Sequence, residues 1–169
     1  MNDSTGKAHL AEQDTKTLGS MMGEIVWLMT QSPIHKLLSI SDLEWLLMPP
    51  ILLNQYKLFY HNGTPVGAAL WGYLSEEGEM RLKTDGRIKR EDWGNGSLIN
   101  TINGIAPAPG GTLWLVELIV PFATTENQQR DQMLQDLLST TLKNKPVKLM
   151  HINPTTSVRE EIVLGEPNA

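Results

Sequence analysis

Residues 112–120, Thr-Leu-Trp-Leu-Val-Glu-Leu-Ile-Val, form an apolar run that a single carboxylate interrupts. The length of the run and its content of leucine and β-branched residues predict a strand at the centre of a sheet, buried on both faces. The carboxylate of Glu117 must therefore be paired, protonated or placed at an opening between strands, because an unpaired buried charge is costly. Carboxylates in such settings cluster at functional sites, but an ion pair with a lysine or arginine of the sheet explains Glu117 equally well.

The segments on either side of this run predict a mixture of helices and strands. Apolar residues recur at helical spacing over residues 20–31, and an amphipathic helix is expected to begin at Thr125. This order predicts an α+β or α/β fold with a mixed, largely antiparallel sheet and flanking helices, and the same order occurs in the N-acetyltransferase-like fold. Other strands are expected over residues 56–60, 64–73, 79–83, 147–152 and 158–164.

Turn and capping residues set several of the expected boundaries. Asn62-Gly63 is the strongest kind of short hairpin signal, and it separates the first two strands. Residues 41–44 have a capping-box pattern, so a second helix is expected to start near Asp42, and Pro49-Pro50 should break or kink it. The Gly- and Pro-rich stretch over residues 92–111 predicts a long loop.

Composition and charge exclude several classes of protein. The net charge of −5 argues against general nucleic-acid binding, and no apolar run approaches the roughly 18 residues that cross a bilayer. The chain has no cysteine, and no two histidines have a ligand spacing such as i, i+4, so we expect no metal site. Residues 1–17 are polar and predict a flexible tail rather than a secretory signal, and we expect residues 18–169 to form one domain of a cytoplasmic protein.

His35 is the histidine with the most favourable catalytic setting. It follows the first helix within Ser32-Pro33-Ile34-His35-Lys36, where Pro33 helps to end the helix and stiffens the loop. The other three histidines are His9 in the expected tail, His61 in the hairpin turn and His151 in the strand expected over residues 147–152, where ordinary roles are usual. The alternative for His35 is a capping role, because a histidine cation is stabilised at a helix C-terminus.

A basic segment stands out in this acidic chain. Residues 81–90 contain five Lys or Arg residues and one Asp, which gives a local charge of +4. Charge runs usually form a solvated face. The functional alternative is a docking surface for an acidic partner, formed by Arg81, Lys83, Arg87, Lys89 and Arg90.

Seven short motifs, in the same order, resemble those of the toxin-activating lysine acyltransferases, which fatty-acylate RTX (repeats-in-toxin) protoxins. They are Trp27 in the first helix, Gln31-Ser32-Pro33-Ile34-His35-Lys36, Asn54-Gln55-Tyr56, Pro65-Val66-Gly67 with Trp71, Glu91-Asp92-Trp93, the segment from Glu117 to Phe122, and Ile152-Asn153-Pro154-Thr155-Thr156. The chain departs from the family pattern where Glu117 stands in place of the family's aspartate and where the Gly/Pro-rich insertion 94–111 precedes it. It therefore resembles a divergent member.

The resemblance implies transfer of a fatty acyl group from acyl carrier protein to internal lysines of a protoxin. It implies that His35 is a general base, or forms a covalent acyl-histidine, and that Glu117 fixes the imidazole tautomer and stabilises its cation. Ser32 is expected to hold the loop or to polarise the thioester. No resident cofactor is implied, because the acyl-acyl carrier protein is a co-substrate.

The partners follow from the same resemblance. Acyl carrier protein is acidic, so the basic segment is its expected docking surface. No glycine-rich pyrophosphate loop, as in coenzyme-A-dependent relatives of this fold, precedes the helix expected at Thr125. An RTX protoxin is the implied target, and a homodimer is implied because family members tend to dimerise. Two other functions remain open: acylation of another secreted peptide or adhesin, and a non-catalytic module, inactivated by the Asp-to-Glu change, that binds a toxin or carrier protein.

Overall fold

The computed structural model describes residues 16–93 and 111–165. Within them one mixed sheet has the order β1-β2-β3-β4-β5, with β1 Tyr56–His61, β2 Thr64–Leu74, β3 Thr112–Ile119, β4 Val147–Ile152 and β5 Arg159–Leu164. The α-helices are α1 Leu18–Gln31, α2 Leu43–Leu46, α3 Met48–Leu52, α4 Glu76–Asp85 and α5 Gln129–Ser139, and 3₁₀ turns cover His35–Leu37, Ile40–Asp42 and Arg90–Trp93. The expectations for residues 1–15 and 94–110, the tail and most of the Gly/Pro-rich segment, fall outside the described residues.

The sheet confirms the predicted mixed, largely antiparallel arrangement. β3 and β4 run parallel, and the other three neighbouring pairs are antiparallel. In the central strand, Trp114 and Ile119 pack into one core with α1, α2 and α3, while Leu113 and Leu115 pack into a second core with α5. β3 is therefore buried on both faces, as its apolar run predicts, and the sheet with its flanking helices is compatible with the N-acetyltransferase-like arrangement.

The predicted hairpin between β1 and β2 is confirmed. Asn62 and Gly63 both have positive φ, 50° and 77°. Two-residue hairpin turns of type I′ need positive φ at both central residues, which is why Asn-Gly is so strong a signal. None of the described helices is long and apolar enough to cross a bilayer.

α1 is confirmed, with a start two residues before the predicted one. Thr17 caps the helix, since its Oγ1 accepts a hydrogen bond from the backbone N–H of Ser20 at 3.2 Å. The helix ends at Gln31, and Ser32 has extended backbone angles, φ −90° and ψ 125°. A residue before proline is disfavoured in the helical region, so Pro33 explains the end of the helix at this residue.

The strand predicted over residues 79–83 is wrong, because this segment belongs to helix α4. Ser75 caps the helix by accepting a hydrogen bond from the N–H of Gly78 at 3.2 Å, and three glutamates occupy the first turn. Gly86 ends it with φ 70°. The capping signals at both ends favour a helix more strongly than the short apolar alternation favours a strand. The three-stranded meander expected here is therefore a two-stranded hairpin followed by a helix.

One helix start and one capping box differ from the predictions, whereas α2 starts at Leu43, next to the predicted Asp42. α5 begins at Gln129 rather than Thr125, because the Asn127 side chain accepts from the N–H groups of Thr124 and Gln129, at 2.9 and 3.0 Å, and holds a turn ahead of the helix. The N-terminal partner of Asp42 is Ser39, whose backbone N–H lies 2.8 Å from the Asp42 carboxylate, so the capping box is not over residues 41–44.

The proline pair does interrupt the second helix, as predicted. The chain turns at Leu47, and Pro49 and Pro50 then lie in the first turn of α3. A proline in a first turn sacrifices no helical hydrogen bond, since those N–H groups have no partner within the helix.

A buried carboxylate joins α4 to the segment before residue 94. Asp92, which is 4% exposed, accepts from Nε of Arg81 at 2.9 Å and from the backbone N–H of Lys89 at 2.7 Å, and a second Arg81 nitrogen completes a bidentate pair. Burial acts to raise the pKa of Asp92, but the hydrogen bonds from Arg81 and Lys89 outweigh burial and hold that pKa below its ordinary value.

We expect Asp92→Asn to lower the free energy of unfolding by about 3 kcal/mol, the lower end of the range for broken buried pairs, because Arg81 keeps part of its surface in water. Urea unfolding at pH 7 measures this loss. The carboxylate's contribution is present above its unfolded pKa of about 3.9 and disappears as pH falls through its lower folded pKa. Asp131→Asn is the control, since the Asp131 side chain is 79% exposed. Equal stability of both variants and the parent protein would contradict this role.

Candidate active site

His35 lies at the start of the 3₁₀ turn that follows α1, and its residue surface is 9% exposed. Its Nδ1 is 2.7 Å from Ser32 Oγ, and its Nε2 is 3.0 Å from Glu117 Oε1. The structure thus brings together the three residues that the sequence singled out for chemistry, and their polar contacts form one relay.

The local fold after α1 explains the contact between Ser32 and His35. Pro33 keeps Ser32 extended, and the backbone N–H of Lys36 then donates to the Ser32 carbonyl oxygen at 3.0 Å. This tight turn brings the hydroxyl of residue 32 to the ring of residue 35. Ser32 is itself 6% exposed, so both side chains are held in a fixed, nearly dry setting.

An irregularity in β3 aims Glu117 at the histidine. In the register between β2 and β3, Leu70 pairs with Glu117, whereas the next residue, Trp71, pairs with Leu115. Val116 is therefore an extra residue in β3. Strict alternation from the buried Trp114, which faces α1, would turn residue 117 toward α5. The bulge returns Glu117 to the α1 side, where His35 lies. Bulges commonly re-aim side chains beside functional sites.

The two contacts of His35 define its proton positions. An ionised carboxylate can only accept a hydrogen bond, so the contact with Glu117 requires the proton on Nε2. In the neutral imidazole, Nδ1 then accepts from the Ser32 hydroxyl. Nδ1 is therefore the basic nitrogen, and the carboxylate on the other side stabilises the imidazolium that forms when Nδ1 gains a proton.

Glu117 is the most solvent-accessible member of the relay. Its side chain is 32% exposed, against 9% for that of His35. Its partner is the histidine, and among the described residues no lysine or arginine lies within ion-pair distance of its carboxylate. The structural alternative considered for Glu117, an ion pair with a basic residue of the sheet, is thus not what these residues form.

The basic segment does not form the free cationic surface that the sequence suggests. Arg81 is bound to the buried Asp92, and Lys83 lies 2.5 Å from Glu161. Arg87 and Arg90 lie 3.3 and 3.5 Å from the carboxylates of Asp42 and Glu44. Within the part of the chain that the structure describes, Lys89 is the member of the five whose side-chain ammonium forms no ion pair with a carboxylate.

Four of the five basic residues nevertheless line one surface groove of about 450 Å³, and Lys83 lies apart from it. The Arg87 guanidinium lies 5.0 Å from the centre of the Trp45 ring, which forms part of the groove. Three carboxylates, those of Glu44, Asp85 and Glu91, line the same groove and offset most of the positive charge.

An apolar cavity beside His35 is a feature that the sequence analysis missed. It has a volume of about 140 Å³ and is lined by Val26, Met29, Leu38 and Leu43 together with the histidine. The spacing of Val26 and Met29 on α1 placed both on the apolar face but could not show that the space beside them is open. In residues 16–93 and 111–165, no three His, Cys, Asp or Glu side chains are grouped as a metal site requires.

The mixed sheet, the bulge in its central strand and the Ser32–His35–Glu117 relay define an α+β domain, compatible with the N-acetyltransferase-like fold, that carries a candidate acid–base site. The sequence model of the HlyC family, described as the RTX toxin acyltransferase family, matches residues 14–112. This match covers more than half of the chain and includes Ser32 and His35, whereas Glu117 lies beyond it. The chain belongs to the RTX toxin acyltransferase family, which confirms the resemblance found in the motifs.

Individual relatives agree with this family. The chain is 36% identical over 89 residues to the RTX-II toxin-activating lysine-acyltransferase ApxIIC of Actinobacillus pleuropneumoniae, a match of 52% of this chain and 56% of the relative. It is 34% identical over 88 residues to the leukotoxin-activating lysine-acyltransferase LtxC of Aggregatibacter actinomycetemcomitans, with 52% of each covered. It is 33% identical over 88 residues to the protein-lysine myristoyltransferase HlyC of Escherichia coli, with 52% of this chain and 51% of the relative covered. The chain spans about half the length of the curated relatives it matches.

Proposed function

We propose that this protein is a lysine acyltransferase that takes a fatty acyl group from acyl carrier protein and attaches it to internal lysines of an RTX protoxin, which it thereby activates. The observation that carries the proposal is the Ser32–His35–Glu117 relay in a member of this family. The relatives' names, toxin-activating lysine-acyltransferase and protein-lysine myristoyltransferase, support the same reaction.

The chemistry of lysine explains the need for a base. With an ordinary pKa of about 10.4, roughly one lysine amine in 2,500 is neutral at pH 7, and only the neutral amine attacks a thioester. His35 supplies a base whose ordinary pKa is close to neutrality. The Ser32 hydroxyl donates its hydrogen to Nδ1 and accepts one from the amine, so that the proton reaches His35 through Ser32. The resulting imidazolium is stabilised by Glu117.

The rest of the reaction follows from the same groups. The proton that the lysine ammonium loses to become neutral goes to solvent. The neutral amine nitrogen bonds to the thioester carbon as a second proton passes to His35, the carbon–sulfur bond breaks, and the imidazolium returns that second proton to the departing sulfur. The products are an amide on the lysine and a free thiol on the carrier. A covalent acyl-histidine is the alternative route, and it requires loss of the Ser32 contact, because Nε2 already faces Glu117 and Nδ1 is the remaining nucleophilic position.

Acyl carrier protein is the proposed donor on two grounds. The loop between β3 and α5, residues 120–128, has no glycine with which to form a pyrophosphate cradle of the coenzyme-A type. The groove formed by Trp45 and the basic residues carries Arg87, Lys89 and Arg90 at its exposed surface. Exposed ion pairs contribute only about 0–1 kcal/mol, so Arg87 and Arg90 can exchange Asp42 and Glu44 for the carboxylates of an acidic carrier.

Co-expression with a candidate RTX protoxin and acyl carrier protein, followed by intact-mass analysis of the protoxin, tests the proposed function. We expect a mass increase of one fatty acyl group for each modified lysine. An increase on another secreted peptide or adhesin, with none on the protoxin, would replace the protoxin as the target. Binding of the protoxin or the carrier without any acylation would indicate the non-catalytic module instead.

Charge reversal tests the docking surface for the carrier. We expect Arg87→Glu with Lys89→Glu to weaken the binding of acyl carrier protein, mainly through a slower association rate, and we expect the difference to shrink as salt rises. Surface plasmon resonance at low and high salt measures both effects. The double reversal of Arg130 and Lys143, two exposed basic residues outside the groove, is the matched control. Equal carrier affinity of both double variants at low salt would show that the groove is only a solvated face.

A further inference from the structure

We propose that the apolar cavity beside His35 binds the part of the fatty-acyl chain nearest the thioester, and that the exposed apolar side chains of the His35 loop cover the part that follows. This inference rests on the proposed function and names the place of its acyl substrate. The relay itself uses none of the apolar residues involved, which are Val26, Met29 and Leu43 in the cavity and Ile34, Leu37 and Ile40 at the exposed surface.

The cavity has the chemical character of a site for a hydrocarbon chain. Its walls are the side chains of Val26 and Met29 from α1, Leu43 from α2, and Leu38 from the loop between them. Four polar residues also line it, namely Thr30, His35, Lys36 and Ser39. Most of the surface that the cavity exposes is nevertheless apolar, so an alkyl chain gains by leaving water and entering it.

The position of the cavity determines which part of the fatty-acyl chain it binds. The thioester carbon must lie beside the amine whose proton passes to His35, because the carbon–nitrogen bond forms there. The first methylene groups of the acyl chain are therefore within a few bond lengths of the relay. A largely apolar space lined in part by His35 is the natural extension of that position.

The volume of the cavity limits how many carbons of the fatty-acyl chain it can hold. A cavity of about 150 Å³ lined by apolar side chains takes one benzene molecule, which has six carbons. The cavity beside His35, at about 140 Å³, therefore holds roughly six carbons. A chain of fatty-acid length must continue outside it, along the surface of the protein.

The loop that carries His35 offers an apolar surface for that continuation. Ile34, Leu37 and Ile40 are 77%, 81% and 88% exposed, an unusual density of large apolar side chains in water within seven residues. Residues three apart lie on the same side of a 3₁₀ turn, so Ile34 and Leu37 share one side of it. Ile40 also lines the cavity, which is open to solvent, so the cavity is continuous with the exposed apolar surface.

Binding of donor analogues tests the proposal without any lysine target. The probes are myristoyl-pantetheine amide, in which an amide replaces the reactive thioester, and its two-carbon acetyl counterpart, measured by calorimetry with the full chain. We expect Val26→Phe to fill the cavity and weaken binding of the fourteen-carbon probe at least about tenfold, with no change for the acetyl probe. Val163→Phe is the matched control, since Val163 is 41% exposed on β5 and remote from the cavity lining.

A second variant covers the case in which Val26→Phe does not fold. Ile40→Asp changes a side chain that is 88% exposed, so the fold should tolerate it, and we again expect weaker binding of the fourteen-carbon probe alone. Unchanged affinity of that probe for the folded variants, or an equal loss in Val163→Phe, would overturn the proposal. The binding measurement contains no lysine acceptor, so its result does not depend on whether the protein acylates a protoxin. The co-expression experiment measures that acylation separately.

Discussion

Replacement of His35 by alanine should abolish acyl transfer to lysine while leaving the fold in place. Loss of a general base lowers a rate by roughly 10²–10⁴-fold, and here it also removes the link between Ser32 and Glu117. The alanine variant has no side-chain nitrogen to accept the amine's proton, so the reaction is left with the rare neutral amine. The acylation rate of a target lysine, followed by intact mass at fixed acyl-carrier concentration, measures the effect.

The fold of the variant needs its own measurement because the His35 side chain is buried. Far-ultraviolet circular dichroism and thermal melting show whether the loss of activity reflects unfolding. His61→Ala is the control, since His61 is exposed in the β1–β2 hairpin and away from the relay. Near-normal acylation by a folded His35→Ala protein would remove His35 from the mechanism, and with it the central part of the proposed function.

The hairpin and the central strand could be predicted from sequence because their signals are local. Asn62-Gly63 needs only its own backbone angles to form the turn, and the apolar run of β3 needs only to be buried. The segment 79–83 shows where such signals fail. Its apolar spacing fits a strand over five residues, and the deciding groups, Ser75 and Gly86, lie outside it at the two ends of a longer helix.

The candidate site was predictable residue by residue, but its geometry was not. Pro33 after α1 indicates a fixed loop for His35, and the lone carboxylate in an apolar strand indicates that Glu117 has a partner. The choice of partner depends on the bulge at Val116, which reverses the face of every later residue in β3. No feature of the sequence marks that bulge, so alternation alone would have turned Glu117 away from α1.

The net charge of the basic segment's surface could not be predicted from sequence either, for a related reason. Its local charge is a property of ten consecutive residues, whereas the surface charge depends on carboxylates brought in by the fold. Asp42 and Glu44 precede it by some forty positions, and Glu161 follows it by some seventy, yet all three lie against its side chains. The acidic neighbours of a basic run therefore depend on the tertiary fold, and the proposed docking surface is limited to the exposed part of the groove.

Glu117 should act through its charge, so that aspartate replaces it far better than glutamine does. The imidazole of His35 becomes a cation when it takes the amine's proton, and it needs an anion at Nε2. Glu117→Asp keeps that anion but shortens its reach by one methylene, and we expect a loss of about tenfold, since small misplacements cost up to roughly 10². Glu117→Gln should lose roughly 10²–10⁴-fold, because an amide supplies no charge and permits the wrong tautomer.

Stability separates this role from a structural one. An amide oxygen at position 117 can still accept from Nε2–H of neutral His35, so Glu117→Gln should melt close to the parent protein. If the carboxylate instead held a buried cation in place, its removal would lower stability by about 3–5 kcal/mol. Glu126→Gln, a change at an exposed site before α5, is the control for both measurements. A Glu117→Gln protein that melts early yet acylates normally when folded would show that Glu117 holds the sheet to the His35 loop and takes no part in the chemistry.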